Sequence, residues 1–260
     1  MFYEMVNMKE DNEDYFYISG QHYDNMIKSR NMYESVPFYI KQAKKFGGPI
    51  LELACGTGRI AIPIAKEEIS IVGLDFSAKM LLQAKKNSEE NNLEIEWIEA
   101  DMTNFSLSRQ FSLIIIPAAA MNWVLGNRSL ENCLTCVKKH LQQNGRFIFN
   151  VFNPNLGILQ RDPSKKYQSY EYPNPDGKGT VVVTQSNYYN KATQISHVTS
   201  YYNIKNKETI KKLKLRMFFP QELDALLNYN GFKIDYKYGS FDEKPFNSDS
   251  NWQIVICHKK

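Results

Sequence analysis

Gly56-Thr57-Gly58 is the stretch where residue type and spacing point most directly to chemistry. A short apolar run, Pro49 to Ala54, leads into it, and an apolar-periodic segment, Arg59 to Lys66, leads out as a helix. A glycine pair between strand and helix lets the backbone approach a ligand where a Cβ would collide. Asp75 follows Gly56 by nineteen residues and closes a second buried run, Ile69 to Leu74. A carboxylate there can accept both hydroxyls of a ribose, the use that nucleoside sites in open α/β sheets make of an acid at this point. Gly56, Gly58 and Asp75 together predict a ribose-bearing cofactor. Gly56-x-Gly58-x-x-Ala61 also fits the loose dinucleotide fingerprint. Two acids weigh against that reading. Glu52, inside the strand before the turn, sits poorly beside a pyrophosphate. Asp101 with Met102, after a third strand, offers a carboxylate and a backbone N–H to an adenine edge.

The elements that must position these residues alternate between strand and helix signals. Ser77 is placed to cap a helix from Ala78 to about Asn87, with Met80, Leu81 and Ala84 on one face. Glu94 to Ile98 alternates with period two, and Phe111 to Ile116 is a fully apolar strand. Ser129 should cap the next helix, whose stripe is Leu130, Cys133, Leu134, Val137 and Leu141. Gly145 should stop it, and Arg146 to Phe152 should form the following strand. This rhythm predicts an α/β fold with a doubly wound, mostly parallel, Rossmann-like sheet of seven strands.

The pattern changes at Asn153. Thr180 to Tyr189, Gln194 to Lys205 and Thr209 to Phe219 are β-rich runs joined by short polar turns, the signature of an antiparallel meander. An amphipathic helix, Pro220 to Asn230, and two strands, Lys233 to Phe241 and Trp252 to His258, complete the pattern. The expected organisation is an N-terminal lid (residues 1–34), a cofactor-binding core (35–152), an antiparallel β insertion capping the substrate (153–219) and a C-terminal return to the core sheet (220–260).

Composition limits the remaining options. With 43% hydrophobic and 23% charged residues, the chain reads as globular and not as disordered. The longest apolar run, Leu113 to Met121, is half of a bilayer span, and polar Met1 to Asp14 lacks the features of a signal peptide. Four Cys make no disulfide framework, so the expected location is the cytoplasm. A net charge of +4 is too small to imply nucleic acid. Cys133-x-x-Cys136 has metal-like spacing but no second pair; both are expected on a buried helix face, and no metal is expected. Sixteen Tyr are present, yet none lies between Tyr39 and Tyr167.

Leu51-Glu52-Leu53-Ala54-Cys55-Gly56-Thr57-Gly58-Arg59, then Gly73-Leu74-Asp75-Phe76-Ser77 with Met80-Leu81, then Asp101-Met102, resembles the class I S-adenosylmethionine-dependent methyltransferases, small-molecule type. Phe111-Ser112-Leu113-Ile114 and His140-Leu141-x-x-Asn144-Gly145-Arg146-Phe147 extend the resemblance to about Phe152. The resemblance implies S-adenosyl-L-methionine as cofactor. It implies that Glu52, Ala54, Cys55, Gly56 and Gly58 line the methionine portion, and that Asp75 holds the ribose. Phe76 would flank the adenine and Asp101 with Met102 would contact its edge, with Met80 and Pro117 also counted among the cofactor-binding residues. Ala54 departs from the glycine more usual in the family.

The loop after the fourth strand, where this family faces its acceptor, reads Pro117-Ala118-Ala119-Ala120-Met121-Asn122-Trp123 and contains no acid, His or Lys. Asn122 and Trp123 are its substrate-contact candidates. Tyr15, Tyr17, Tyr23 and Arg30 lie in a segment similar to the lid of small-molecule N- and O-methyltransferases. Tyr15 and Tyr23 are the catalytic candidates, Tyr17 a substrate contact, and Tyr23 with Arg30 the residues that would close over the cofactor. His22 is read as a surface residue, with a general base as its alternative. Lys205 to Arg216 form the one basic cluster, read as protection of an exposed strand edge. The resulting expectation is methyl transfer to N or O of a small molecule, chiefly by alignment. Nucleic acid and membrane partners are disfavoured. Methylation of RNA or protein, or a non-catalytic cofactor-binding subunit, are the alternatives.

Overall fold

A computed structural model describes residues 19–205 and 207–260. Its centre is a seven-stranded sheet. Strands β1 (Ile50–Leu53), β2 (Ile71–Asp75), β3 (Glu96–Glu99), β4 (Phe111–Ile116) and β5 (Leu141–Phe152) run parallel. With β10 (Phe232–Tyr238) and β11 (Trp252–Lys259) the order is β10-β11-β5-β4-β1-β2-β3, and β11 runs against both neighbours. The central strands are apolar on both faces because helices cover both. Leu51, Leu53, Ile114 and Phe149 face helices α5 (Asn127–His140) and α7 (Pro220–Tyr229). Ile50, Leu113, Ile115 and Ile148 face α2 (Val36–Phe46) and α3 (Ala61–Ala65).

Several boundaries differ from the sequence expectation. Helix α5 starts two residues before Ser129, capped by Gly126, whose carbonyl accepts from the Leu130 N–H. It ends at His140 and passes directly into β5, so Gly145 lies inside a strand. A Cβ on Gly145 would meet the Leu141 side chain at 2.9 Å and the Ser112 carbonyl at 3.0 Å, so this glycine permits close approach of β4 and β5 and does not stop a helix. Cys133 is fully buried on α5, while Cys136 is half-buried.

A second sheet is inserted between β5 and α7. Its order is β6 (Tyr167–Pro173), β7 (Thr180–Asn190), β8 (Ile195–Ile204) and β9 (Lys207–Arg216), all antiparallel. Strand β6 escapes the sequence reading because a register irregularity between Gln168 and Tyr170 spaces its three inward Tyr (Tyr167, Tyr170, Tyr172) unevenly. Directly paired residues share a face. One face therefore runs from Tyr172, Val181, Val183 and Tyr202 at one end to Gln185, Asn187, Val198 and Leu213 at the other. The apolar end is covered by Met26 and Ile27 of helix α1 (Gly20–Ser29). The lysines of β9 lie along a sheet edge. Arg216, however, is buried and leaves that basic row.

Arg216 ties the inserted sheet to the core. Its guanidinium donates to Glu222 of α7 at 2.7 Å, and the same carboxylate accepts from the Phe219 N–H at the start of that helix. Breaking a buried pair strands the remaining charge. Glu222→Ala should therefore lower unfolding free energy by about 3 kcal/mol, read from urea denaturation curves; a loss within 0.5 kcal/mol, the range typical of surface substitutions, would show the pair to be idle.

Candidate functional site

The glycine turn follows β1 and is fixed by its neighbours' side chains. The Gly56 N–H donates to Asp75 Oδ2 at 2.8 Å, and Asp75 Oδ1 accepts from the Ser77 N–H at 2.9 Å. Asp75 thus joins the turn to the start of helix α4 (Ala78–Glu89), where the Ser77 hydroxyl caps the Met80 N–H. Burial pushes the Asp75 carboxyl upward while these amide bonds oppose it. The two glycines serve different ends. A Cβ on Gly58 would strike Trp97 at 2.8 Å, and one on Gly73 would strike Trp97 at 2.3 Å and Cys55 Sγ at 2.9 Å. Gly58 therefore makes room for packing. A Cβ on Gly56 would meet only Met80 Cε, at 3.5 Å, so Gly56 borders open space.

Around that space the sequence-predicted residues fall as follows. Ala54 has φ +54°, the left-handed region that favours glycine, which accounts for the family's usual residue there. Cys55 is buried and its thiol is pushed well up, so it lines the turn and is not a nucleophile. Phe76 presents an exposed ring immediately after Asp75. Asp101 sits after β3, where the Ala100 N–H donates to the Asp75 carbonyl; its carboxylate accepts from the Thr103 N–H and hydroxyl at 2.7 and 2.8 Å. Met102 packs on the core cluster. Pro117 is buried at the end of β4, followed by Ala118 and Ala119 at φ +56° and +58°. Two successive left-handed alanines hold strain in the loop that the resemblance assigns to the acceptor.

Glu52 is the most informative group. It is 2% exposed, its Oε2 has no hydrogen-bond partner, and burial pushes its carboxyl up to about 8. Arg59, on the turn's far side, exerts the principal opposing electrostatic pull on it and accepts no role in the sequence expectation. The Arg59 guanidinium donates to the Met32 carbonyl and the Ser35 hydroxyl, each at 3.0 Å, and bonds to the Tyr23 side chain.

Helix α1 straps the turn to the inserted sheet. On the core side, Thr57 Oγ1 donates to Asp24 Oδ1 at 2.6 Å and Asn87 Nδ2 donates to Asp24 Oδ2 at 3.1 Å. Across α1, His22 is 1% exposed, with Nδ1 at 2.9 Å from the Tyr172 hydroxyl and Nε2 at 2.9 Å from Asp176 Oδ2. This overturns the expectation of a surface His22; its ring is enclosed because α1 lies on the inserted sheet. Asn25 and Ser29 add bonds to the Pro173 and Glu171 carbonyls. Arg30 does not meet the turn. Its guanidinium lies 4.7 Å from the Tyr170 ring centroid, on the sheet side of α1. Tyr15 and Tyr17 lie outside the described residues.

Asn122 is fully buried in a short 3-10 helix, Ala120–Trp123, and both ends of its amide are engaged: Nδ2 donates to the Arg216 carbonyl at 2.6 Å, and Oδ1 accepts from the Phe152 N–H at 3.3 Å. That corrects the substrate-contact expectation, because Asn122 is wholly buried and does not line the cavity described below, so its remaining N–H and lone pair face protein. Trp123 beside it is half-buried. Asp24, Asn87 and Arg59 are the site residues the sequence reading missed. The Tyr23-Asp24 dipeptide and the position of Arg59 directly after Gly58 were the available signals.

A cavity of about 450 Å³ opens beside this arrangement, between the end of β5, the short helix α6 (Leu156–Leu159) and the polar end of the inserted sheet. Its walls include Phe152, Trp252, Arg161, Tyr167, Gln185 and Asn187, and no residue of the glycine turn. Strand β4 separates β5 from β1, so the cavity floor lies about 10 Å along the sheet from the turn.

Comparison with known proteins agrees with this geometry. Residues 50–145 match the family described as "Methyltransferase domain". A methyltransferase of Geobacillus sp. is 26% identical over 133 residues, covering 50% of this chain and 54% of that protein. A dTDP-3-amino-3,4,6-trideoxy-alpha-D-glucopyranose N,N-dimethyltransferase of Streptomyces venezuelae is 28% identical over 96 residues, covering 37% and 39%. The chain thus matches about half or less of these relatives' length. The structure of an S-adenosylmethionine-dependent methyltransferase from Clostridium acetobutylicum superposes with TM-score 0.75 at 18% identity, covering 91% of this chain and 96% of that one. Residues 50–145 thus match a methyltransferase domain, and the chain shares its fold with a solved S-adenosylmethionine-dependent methyltransferase.

Ala54→Gly tests the strain at the turn. Relief of the left-handed Cβ clash, about 1–2 kcal/mol, exceeds the added unfolded-state entropy, about 0.4–1 kcal/mol. The variant should be more stable by about 0.5–1 kcal/mol in thermal or urea unfolding. Destabilisation of the same size would mean the Ala54 methyl packs against something the turn requires.

Proposed function

We propose that the protein transfers a methyl group from S-adenosyl-L-methionine to a nitrogen or oxygen of a small molecule. The observation that carries the reading is the buried, partnerless Glu52 Oε2 beneath a glycine turn whose Gly56 borders open space. That arrangement fits the cofactor: Glu52 supplies a carboxylate for the methionine ammonium, Asp75 retains lone pairs for the ribose hydroxyls, and Phe76 offers a ring face to the adenine. When bound, S-adenosyl-L-methionine supplies an electrophilic methyl on a sulfonium, which an acceptor lone pair takes while the C–S electron pair stays on sulfur.

The chain's own residues contribute placement. Asp75 sets the glycine turn, Asp24 and Tyr23 bring α1 against it, and the inserted sheet closes the acceptor side. Holding two reactants in line is worth up to about 7–11 kcal/mol of the barrier, more than the 10²–10⁴-fold typical of a general base. The loop after β4 carries no group able to take a proton. Alignment is therefore the dominant effect. A small acceptor is favoured by the size of the cavity, about 450 Å³, and by the amino-sugar substrate in the name of the Streptomyces venezuelae relative.

Glu52 gives a direct test. With its carboxyl near 8 in the free protein, Glu52 is mostly protonated at pH 7. An ammonium placed against it favours the carboxylate, so cofactor binding should release a proton, most near pH 7 and less above pH 8. Calorimetry of S-adenosyl-L-methionine binding in buffers of different ionisation enthalpy measures this, and Glu52→Gln should abolish the buffer dependence. Equal heats in all buffers for the unaltered protein would remove Glu52 from the ammonium site.

The lid is tested separately. Tyr23→Phe deletes the bond to the Arg59 guanidinium and should weaken cofactor binding about tenfold, the equivalent of about 1.5 kcal/mol. Arg30→Ala should leave it unchanged, because Arg30 faces Tyr170. The reverse ranking in a binding titration would place Arg30 at the cofactor.

A further inference from the structure

The cavity at the end of β5 has a composition that selects among acceptors. We propose that it binds an acceptor carrying an oxyanion, a carboxylate or a phosphate, held by Arg161. This rests on the methyl-transfer reading and names its substrate class.

Charge is the first argument. None of the cavity's wall residues is Asp, Glu or Lys, so Arg161 is the one formal charge on its lining. Arg161 is exposed, has no carboxylate within ion-pair distance among the described residues, and lies 4.8 Å from the Tyr167 ring centroid. Its neighbour Asp162 is occupied elsewhere: that carboxylate accepts from the Ser164 N–H and hydroxyl and lies 3.9 Å from Lys165. A guanidinium stacked on a ring, with its donor edges unused by acids, is organised to accept two oxygens of one anion side by side.

The second argument is the polar wall. Gln185 is pinned, its Nε2 donating to the Ser200 hydroxyl at 2.9 Å and its Oε1 accepting from the Ser169 hydroxyl at 2.8 Å. Asn187 accepts from the Ser196 hydroxyl and donates to the Ile158 carbonyl. Each fixed amide keeps one N–H and one lone pair, which suits hydroxyls or amides of a ligand. A cationic acceptor would find no carboxylate here, and a wholly apolar one would leave these amides unpaired at a cost of about 1–3 kcal/mol each.

The third is location. The floor is the stacked pair Phe152 and Trp252, centroids 4.9 Å apart, at the carboxyl end of β5. That is the same sheet edge as the glycine turn and Asp75, where open α/β sheets bind ligands. The polar wall sits on the strands whose apolar end is covered by α1, so the lid and the cavity share one surface.

The experiment uses the full chain with methyl-labelled S-adenosyl-L-methionine and a cell metabolite extract, the products then being divided on an anion-exchange resin. Label in the retained small-molecule fraction is the expected result. Arg161→Gln should lower that label at least tenfold and Arg161→Lys less, with cofactor affinity by calorimetry unchanged in both. Label only in the unretained fraction, or full labelling by Arg161→Gln, overturns the anionic-acceptor proposal and leaves methyl transfer standing. No label in any small molecule, despite cofactor binding, overturns the methyl-transfer reading and this proposal with it.

Discussion

The architecture around the site depends on Trp97. This indole packs where the Cβ atoms of two residues, Gly58 and Gly73, would otherwise stand. With both positions stripped to backbone, the turn after β1 lies close against β2, and the Gly56 N–H comes within 2.8 Å of the Asp75 carboxylate. That bond fixes the separation between the face that would meet methionine and the acid that would meet ribose. Everything further out, from the α4 cap to the bond from Ala100 to Asp75, is built on that spacing. The same closeness explains why Glu52 is cut off from water: a strand roofed by a tight turn leaves its inward carboxylate without solvent.

Helix α1 is the second organising element, and it acts through polar contacts on both sides. Asp24 grips the turn through Thr57 and Asn87, while His22, Asn25 and Ser29 grip the inserted sheet. Its apolar residues Met26 and Ile27 are buried against the sheet, but apolar contact is non-directional. Directional bonds to two different units are what prevent the helix from sliding. Helix α1 thus links the inserted sheet to Thr57 through its own side chains.

The core was legible in the sequence because its signals are local. Aliphatic strands, Ser77 as a cap and Gly-x-Gly before a helix each state their structure within a few residues. The α5 boundaries were not, because the chain goes from helix to strand at Leu141 without a breaker, and Gly145 has a tertiary reason for being glycine. Strand β6 was hidden by its irregular register. For the candidate site, Gly56 and Asp75 stand out by their spacing, and the structure joins them through the Gly56 N–H. Arg30, His22 and Asn122 could not be placed, because the direction of each side chain is decided by a partner more than ninety residues away, namely Tyr170, Tyr172 and Arg216. The absence of Tyr from residues 40–166 reads differently once the fold is known: α1 and the inserted sheet meet through Tyr172 and Tyr202, outside the aliphatic core.

The inserted sheet divides one surface between two tasks along the length of the same strands. Val181 and Val183 support α1, whereas Gln185 and Asn187, further along β7, face the cavity. Because strand residues two apart face the same way yet touch different neighbours, the cavity wall can change its chemistry without loosening the helix. Such a partition lets descendants of one chain acquire different acceptors while the grip on the glycine turn is inherited intact.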